Sequence, residues 1–180
     1  PMGPQEYYLV WYFEPLDELV LTYPNGGEGF APAETETIRW DAAGTTGTFA
    51  IDYSIDSGAT WSVVNAAVAA TDRYFNWTVP SAISGECLIR IARGLAADTN
   101  DANFSIIPVP ANLVVDWACP DSLQLSWSTV SGATSYDVFL LGNTYMDSIG
   151  NSTATSFIIR NLNNLTNTYW LSVRSKGSQN

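Results

Sequence analysis

The sequence predicts an all-β protein made of two tandem β-sandwiches. Short runs rich in β-branched and aromatic residues recur along its 180 residues, and Gly, Asn, Asp or Pro interrupts them roughly every 8 to 12 residues. No stretch of useful length carries a helical apolar period. The segment IPVPAN (107–112) holds two prolines and predicts a stiff extended linker between two such series of strands.

The first predicted sandwich covers residues 16–108 and is immunoglobulin-like. Pro15 precedes it, and each of its strands is a short apolar run bounded by turn residues. Seven strands are predicted: 18–23, 35–40, 48–54, 60–64, 74–79, 87–93 and 103–107. The Ala-rich run at 63–72 is predicted to leave the strand pattern as a loop or a single helical turn.

The second predicted sandwich covers residues 109–180. Six strands are predicted in it: 112–118, 122–128, 135–141, 143–149, 156–162 and 167–175. After the sixth strand the sequence continues only with GSQN (177–180), so no further strand is predicted.

Residues 1–15 carry an additional strand, QEYYLVWYF (5–13). Side chains alternate between the two faces of a strand, and here both faces are apolar. One face presents Tyr7, Leu9, Trp11 and Phe13, and the other presents Tyr8, Val10 and Tyr12. A strand apolar on both faces lies in the centre of a sheet or in an interface. It is either a strand donated to another domain or the remnant of a preceding domain.

Composition narrows the classes of function. Hydrophobic residues make up 46% of the chain and charged residues 14%, which is typical of a packed globular protein. The net charge of −11 repels phosphate backbones and anionic lipid surfaces, so we predict no nucleic-acid partner. No apolar run reaches about 18 residues, so we predict no membrane insertion. Sparse charge with abundant Ser, Thr, Asn and Gly is typical of extracellular or cell-surface β proteins.

Catalytic and metal sites are not expected. The chain has no His, which excludes a Ser-His-Asp triad and a Cys/His metal site. The loop DTNDAN (98–103) offers three side-chain ligand groups, whereas Ca²⁺ takes about six to eight oxygen ligands, so a solvated turn is favoured. We predict that the protein is not an enzyme and uses no cofactor.

The stretch SIDSGATW (54–61) looks like the Asp-box of β-propeller proteins. A propeller needs several four-stranded blades, for which the chain is too short. A single copy therefore predicts a structural hairpin. We expect the Asp56 carboxylate to accept turn N–H groups, Gly58 to supply a positive φ, and Trp61 to anchor the next strand.

The second half of the chain resembles a fibronectin type III domain. The resemblance rests on LSW (125–127), GATSYDV (132–138) and LNNLTNTYWLSVR (162–174). It implies that Trp127 packs in the core and that Tyr169 forms a tyrosine corner. It also implies a seventh strand after residue 175, for which GSQN (177–180) is too short, so we expect this sandwich to lack its last strand.

The first half is similar to immunoglobulin-like modules of secreted Bacteroidota proteins. The motifs that carry this likeness occur in the expected order: YPNGGE (23–28), TIRW (37–40), DSGATW (56–61), WTVP (77–80), IRI (89–91) and NFSII (103–107). The resemblance implies a module that follows a catalytic domain, typically a secreted peptidase, or belongs to a long adhesin-like chain.

Two further pairs of residues are candidates for covalent chemistry. Cys87 and Cys119 form either an inter-domain disulfide or two buried thiols, and the sequence leaves both readings open. The tripeptides DSL (121–123) and DSI (147–149) look like Bacteroidota O-glycosylation motifs, which makes Ser122 and Ser148 the candidate acceptors.

The sequence thus has one strand too many at its start and one too few at its end. We expect residues 5–13 of one copy to complete the second sandwich of the next, which gives a head-to-tail homopolymer, a filament or rod. An equally weighted alternative is that the printed sequence is part of a longer chain with neighbouring domains. Further alternatives are an accessory region of a secreted enzyme and a carbohydrate-binding module with a glycan partner.

Overall fold

The computed structural model describes residues 18–163 and 165–178, and within these every regular element is a β-strand. The fifteen strands are β1 Leu19–Tyr23, β2 Gly29–Phe30, β3 Thr35–Ala42, β4 Thr48–Ser54, β5 Ser62–Ala69, β6 Tyr74–Thr78, β7 Ser84–Arg93, β8 Ala96–Thr99, β9 Phe104–Ile106, β10 Val114–Cys119, β11 Ser122–Ser126, β12 Ser135–Leu141, β13 Met146–Ser152, β14 Ser156–Arg160 and β15 Leu171–Lys176.

Strands β1 to β9 form two sheets that share one core. One sheet has the order β1-β3-β6, and the other has the order β2-β9-β7-β4-β5 with β8 paired to β7. Residues two apart on a strand point to the same face. Ile38 and Trp40 of β3 are therefore buried together, against Phe49 and Ile51 of β4 from the facing sheet. These apolar faces, rather than turn propensity, hold the first sandwich together.

The Ala-rich run at 63–72 was wrongly predicted to be a loop or helical turn. It supplies β5, which pairs with β4 along its length and places Val68 opposite Phe49 in the core. Tertiary pairing and burial outweigh the helix propensity of alanine here. Strand β8 was not predicted at all, because its four residues carry no apolar alternation. It folds back on β7 through a tight turn at Gly94, whose φ is +61°.

Strands β10 to β15 form the second sandwich. One sheet has the order β10-β11-β14 and the other the order β13-β12-β15. Buried residues of both sheets fill the space between them: Leu123, Leu125, Trp127, Val138 and Ile159. The predicted fold class is confirmed: the chain is all-β with two sandwiches, and the second has the fibronectin type III strand order without a last strand among the described residues.

Two side chains that the resemblance singled out occupy defined places. Trp127 is buried, and its ring meets Tyr136 edge to face with centroids 5.3 Å apart. The Tyr169 hydroxyl accepts a hydrogen bond from the backbone N–H of Asn163 at 2.7 Å. That bond joins the two ends of the segment between β14 and β15, as a tyrosine corner does.

The two cores meet at consecutive residues. Ile106 belongs to the first core and Ile107 to the second. The Ser175 hydroxyl donates a 2.7 Å hydrogen bond to the carbonyl of Pro108, which fastens the start of the predicted linker to β15. The division of the chain into two domains, residues 16–108 and residues 109–180, stays a prediction.

Candidate assembly site

Among the described residues, the second sandwich has an unpaired edge at β15. Strand β15 pairs with β12 on one side, and no described strand lies on its other side. The Leu141 N–H donates to the Trp170 carbonyl, so by the alternation of an antiparallel ladder residues 170, 172, 174 and 176 bond to β12. Leu171, Val173 and Ser175 therefore direct their backbone N–H and C=O groups toward the open edge.

The core is also open beside this edge. Val115 of β10 lies opposite Leu125 of β11, so both side chains project from the same, core-facing side of the sheet. Leu125 is 2% exposed, but Val115 is 52% exposed. Ala118 repeats the pattern opposite buried Leu123. Core-facing side chains of β10 thus lack a cover among the described residues.

In the first sandwich, side chains form hydrogen bonds with backbone amides of the edge strands. The N–H of Leu21, on the outer edge of β1, donates to the Asp98 carboxylate at 2.7 Å. On edge strand β5, the N–H of Ala67 donates to the Asn65 side chain at 2.8 Å. Side chains that occupy edge amides discourage pairing with another chain. No such contact to the backbone of Leu171 or Val173 is found among the described residues.

The outer face of the same sheet carries a row of exposed apolar side chains. Directly opposite residues share a face, and Leu141 of β12 lies opposite both Met146 and Trp170. Met146 is 39% exposed, Leu141 42% and Trp170 70%. Phe139 continues this face in the next row of the sheet, under the Arg174 guanidinium at 5.4 Å. We call Met146, Leu141 and Trp170 the outer row; it ends at the open edge.

Basic groups mark the far end of β15. Arg174 and Lys176 approach the Asp137 carboxylate at 3.0 and 3.8 Å, and the Asn151 amide donates to it at 2.8 Å. Partial burial raises the pKa of Asp137, but these hydrogen bonds and charges outweigh it, so the pKa lies below its usual value. Asp137 is one carboxylate between two cations, which leaves positive charge at this end of the edge.

The predicted donor residues lie outside the described residues. These are Tyr7, Leu9, Trp11 and Phe13 on one face and Tyr8, Val10 and Tyr12 on the other. Their role as a donated strand therefore stays a prediction. Sequence reasoning inferred a missing strand but did not name Val115, Leu171 or Val173. The sequence did carry a signal for these three residues, because apolar residues alternate along both β10 and β15 and no further strand is predicted to cover them.

The SIDSGATW stretch forms the hairpin between β4 and β5. The Asp56 carboxylate accepts hydrogen bonds from the Thr60 N–H at 2.8 Å and from its hydroxyl at 2.6 Å. The Ser54 hydroxyl donates to Asp56 and accepts from the Gly58 N–H at 2.9 Å. Gly58 has φ +88°, and a Cβ added to it would lie 3.4 Å from the Trp61 ring. All three predicted hairpin residues have structural contacts here.

Replacing Asp56 by Asn is expected to lower the urea midpoint at pH 7. The hydroxyl and N–H of Thr60, then the Ser54 hydroxyl, hold the pKa of Asp56 at about 2, below its usual 3.8. A lowered carboxyl pKa adds stability that is present above the usual pKa and lost as pH falls through about 2. The difference between wild type and Asp56→Asn should therefore shrink between pH 4 and pH 2, approximately.

Urea titrations at several pH values measure this difference. The matched control is Asp72→Asn, because Asp72 is exposed and its side chain has one long contact, 3.5 Å to the Thr71 hydroxyl. That substitution makes the same change of charge and should leave the midpoint nearly unchanged. A loss for Asp56→Asn that stays constant down to pH 2 would contradict the assigned hydrogen bonds.

The two cysteines are in different surroundings. Cys87 is buried in the first core, where burial raises the pKa of its thiol to about 11. Cys119 lies at the exposed end of β10. The structure does not bring them into one bridge, and a disulfide between them stays a prediction.

The two candidate O-glycosylation serines differ in solvent exposure. Ser148 is exposed on edge strand β13, whereas Ser122 is buried and its hydroxyl donates to Asp121. Of the two serines, only Ser148 has a hydroxyl that a glycosyltransferase can reach without local opening.

The loop at 98–103 was the candidate for a metal site. In it, the Asp98 carboxylate accepts a hydrogen bond from the Leu21 N–H, and the Asn103 amide donates to the Ser57 hydroxyl at 3.0 Å. Over residues 18–163 and 165–178, no cluster of three His, Cys, Asp or Glu is placed to hold a metal ion.

Comparisons with known proteins found similar solved structures only at low sequence identity. No protein-family model and no curated protein matches it. Similar solved structures include the FN1–FN3 domains of chicken CNTN1, with 13% identity and a TM-score of 0.40 over 90% of this chain. This chain spans 63% of that structure.

Two further similar structures contain fibronectin type III modules. The fibronectin(III)-like modules of Clostridium thermocellum CbhA are 10% identical, with a TM-score of 0.37 over 91% of this chain and 90% of theirs. A two-domain fibronectin type III segment of chicken tenascin is 13% identical, with a TM-score of 0.36 over 89% of this chain and 98% of its own. At these identities the likeness concerns the fold alone. Within the described residues no helix could cross a membrane.

Proposed function

We propose that this protein is a non-catalytic extracellular structural module that assembles head to tail. Residues 5–13 of one copy occupy the open edge of the second sandwich in the next copy. One observation supports the proposal: among the described residues, the outer edge of β15 has no partner strand, and core-facing residues of β10 directly beside it are exposed. An edge of this kind is a template for a strand from another chain.

The donor segment fits this edge by its chemistry. Its two apolar faces would both be costly in water, but an added strand at β15 has use for both. One face covers Val115, Leu171 and Val173 on the core side. The other continues the outer row beyond Trp170. A segment apolar on one face only would leave part of this surface exposed.

The contact joins two different surfaces, an N-terminal strand and a C-terminal edge. Heterologous contacts of this kind build rings if the rotation closes and filaments if it does not. The resulting function is that of a stalk, spacer or adhesive filament subunit at a cell surface. Its partner is a second copy of this chain.

Deletion of residues 1–14 is expected to convert assembled protein into monomers, because it removes the donor and leaves the acceptor intact. Size-exclusion chromatography with light scattering and negative-stain imaging measure the change. The matched control replaces residues 5–13 by a Gly/Ser segment of equal length, which keeps chain length and should also give monomers.

Two outcomes would overturn the proposal. One is polymerisation of the deleted protein, and the other is a full-length protein that stays monomeric at high concentration. The second outcome would favour a seventh strand supplied by residues beyond 178 in a longer chain. Extending the sequence in that direction would then raise the stability of the second sandwich.

A further inference from the structure

We propose that the outer face of the sheet β10-β11-β14 binds a neutral glycan, with the Trp117 ring as its stacking surface and Asp116 and Gln124 as its hydrogen-bonding groups. This face belongs to the sheet opposite β15, so the site does not depend on head-to-tail assembly. Three features carry the proposal: a bulge in β10, a hydrogen-bonded indole ring, and a carboxylate that is bonded to neutral groups.

The bulge in β10 turns Trp117 away from the core. Val115 lies opposite buried Leu125 and faces the core, and in a regular strand the residue two places on would face the core as well. The register instead shifts between Val115 and Trp117, so Trp117 lies opposite Gln124 on the outer face. Trp117 is therefore 39% exposed, although Val115 beside it lacks a cover among the described residues. Bulges that redirect a side chain in this way are frequent next to functional sites.

Hydrogen bonds on the outer face hold the ring and its polar neighbours in place. The Trp117 indole N–H donates to the Gln124 side-chain oxygen at 3.1 Å, and the Gln124 amide donates to the Asp116 carboxylate at 3.0 Å. The Ser126 hydroxyl donates to the other Asp116 oxygen at 2.7 Å. Ring and carboxylate thus lie side by side before a ligand arrives, which lowers the cost of ordering them on binding.

The same groups keep capacity for further hydrogen bonds. A carboxylate oxygen has more than one acceptor site, and a side-chain amide nitrogen carries two donors. In the network each Asp116 oxygen accepts one bond, and the Gln124 nitrogen donates one. An exposed acceptor and an exposed donor beside an aromatic ring match the neighbouring hydroxyls of a sugar, since each hydroxyl both donates and accepts.

The face continues from the ring to an apolar side chain. Gln124 pairs with Trp117 on one side and with Ile158 on the other, so the three residues form one row across the sheet. Ile158 is 40% exposed, and two strand spacings place it about 10 Å from Trp117. A ring, an amide and an aliphatic side chain in one row suit a chain of sugar rings, whose C–H faces are apolar and whose edges carry hydroxyls.

The charge of this face favours a neutral glycan over an acidic one. Among the described residues, no Lys or Arg forms an ion pair with Asp116. The whole chain carries a net charge of −11. An acidic glycan would be repelled by the carboxylate beside the ring. It would need Arg160 instead, which lies on the same face opposite Ser122.

Isothermal titration of the full chain with cellohexaose, a neutral glycan, tests the site, and a galacturonate hexamer is the acidic comparison. We expect cellohexaose to bind and the galacturonate hexamer not to bind. Trp117→Ala should weaken cellohexaose binding about tenfold or more, because it removes the stacking surface. Asp116→Asn keeps the shape of the side chain and should weaken binding about tenfold, because it removes a charged acceptor.

Two further variants separate the site from mere exposure and from misfolding. Tyr74 is 59% exposed on β6 of the first sandwich, so Tyr74→Ala removes an exposed ring elsewhere and should leave cellohexaose binding unchanged. Trp117→Phe keeps a ring and should retain most of the affinity that Trp117→Ala loses. Thermal midpoints are measured for every variant, and if Trp117→Ala fails to fold, Asp116→Asn and Trp117→Phe decide the test.

The proposal is overturned if cellohexaose does not bind at millimolar concentration, or if Trp117→Ala and Asp116→Asn bind it as well as the wild type does. Preferred binding of the galacturonate hexamer would also overturn it and would point to Arg160. Loss of self-association in Trp117→Ala, without any response to sugar, would mean that a second copy covers the ring. None of these results bears on residues 1–14, whose deletion tests the proposed assembly separately.

Discussion

Val173→Pro is expected to abolish head-to-tail assembly while the second sandwich stays folded. The backbone N–H of Val173 points to the open edge and takes no part in the ladder with β12. Proline therefore removes a donor that no described residue uses and that the proposed incoming strand would use, and its ring would block the approach of that strand. Proline is tolerated on edge strands for this reason. Light scattering should report monomers at concentrations where the proposed assembly makes the wild type polymeric.

Two control variants separate the lost donor from other effects. Val173→Ala removes a similar part of the half-buried side chain but keeps the N–H, so it should still assemble. Ser172→Pro removes an N–H that bonds to β12 and should cost about 3 kcal/mol of unfolding free energy. Assembly of Val173→Pro at the wild-type level would show that strand addition at β15 is not how copies associate.

The fold was predictable because its signals are local. Alternation of apolar residues, as at Ile38 and Trp40 in β3, places strands without knowledge of their partners. The failure at β5 has the opposite cause. An alanine-rich run has no strand signal of its own, and only pairing with β4 makes it a strand. Four-residue β8 likewise depends on β7.

The candidate site was predictable only in part. Counting strands predicted that the second sandwich lacks its last strand, and the two-sided apolar segment 5–13 was the predicted source of one; that assignment stays a prediction. Sequence alone could not identify the open edge, because that depends on which strand lies beside β12. The outer row has the same origin: Met146, Leu141 and Trp170 are far apart in the sequence and become neighbours through cross-strand register.

Phe49→Ala is expected to destabilise the first sandwich by about 3–5 kcal/mol, the usual cost of deleting a buried aromatic ring. Phe49 is fully buried, and its ring meets the Trp40 ring at 5.2 Å, steeply inclined to it. Arg73 and Arg93 also lie over the Phe49 ring, at 5.8 and 5.0 Å. Removal of the ring leaves a cavity and takes packing from two guanidinium groups at once.

Because of the two arginines, we expect Phe49→Ala to lower stability by more than the cavity alone would. The Arg73 guanidinium donates to the carbonyls of Ala42 and Ala70 at 2.8 Å each, and Arg93 donates to the carbonyl of Ala43. Both side chains thereby hold the loop after β3, and the ring of Phe49 is the surface on which they rest. We expect Phe49→Ala to loosen this loop as well as the core, with faster amide exchange in residues 42–47.

A second phenylalanine, Phe139, serves as a control that separates the contribution of burial from that of the contact between arginine and the ring. Phe139 lies on the outer face of β12 and is also covered by an arginine, Arg174, but it is only half-buried. Phe139→Ala should therefore cost about 1 kcal/mol or less. Urea unfolding followed by circular dichroism, at one fixed protein concentration, compares the two variants. Equal losses would mean that the Arg–aromatic contact, rather than the filled core, sets the stability contributed by Phe49.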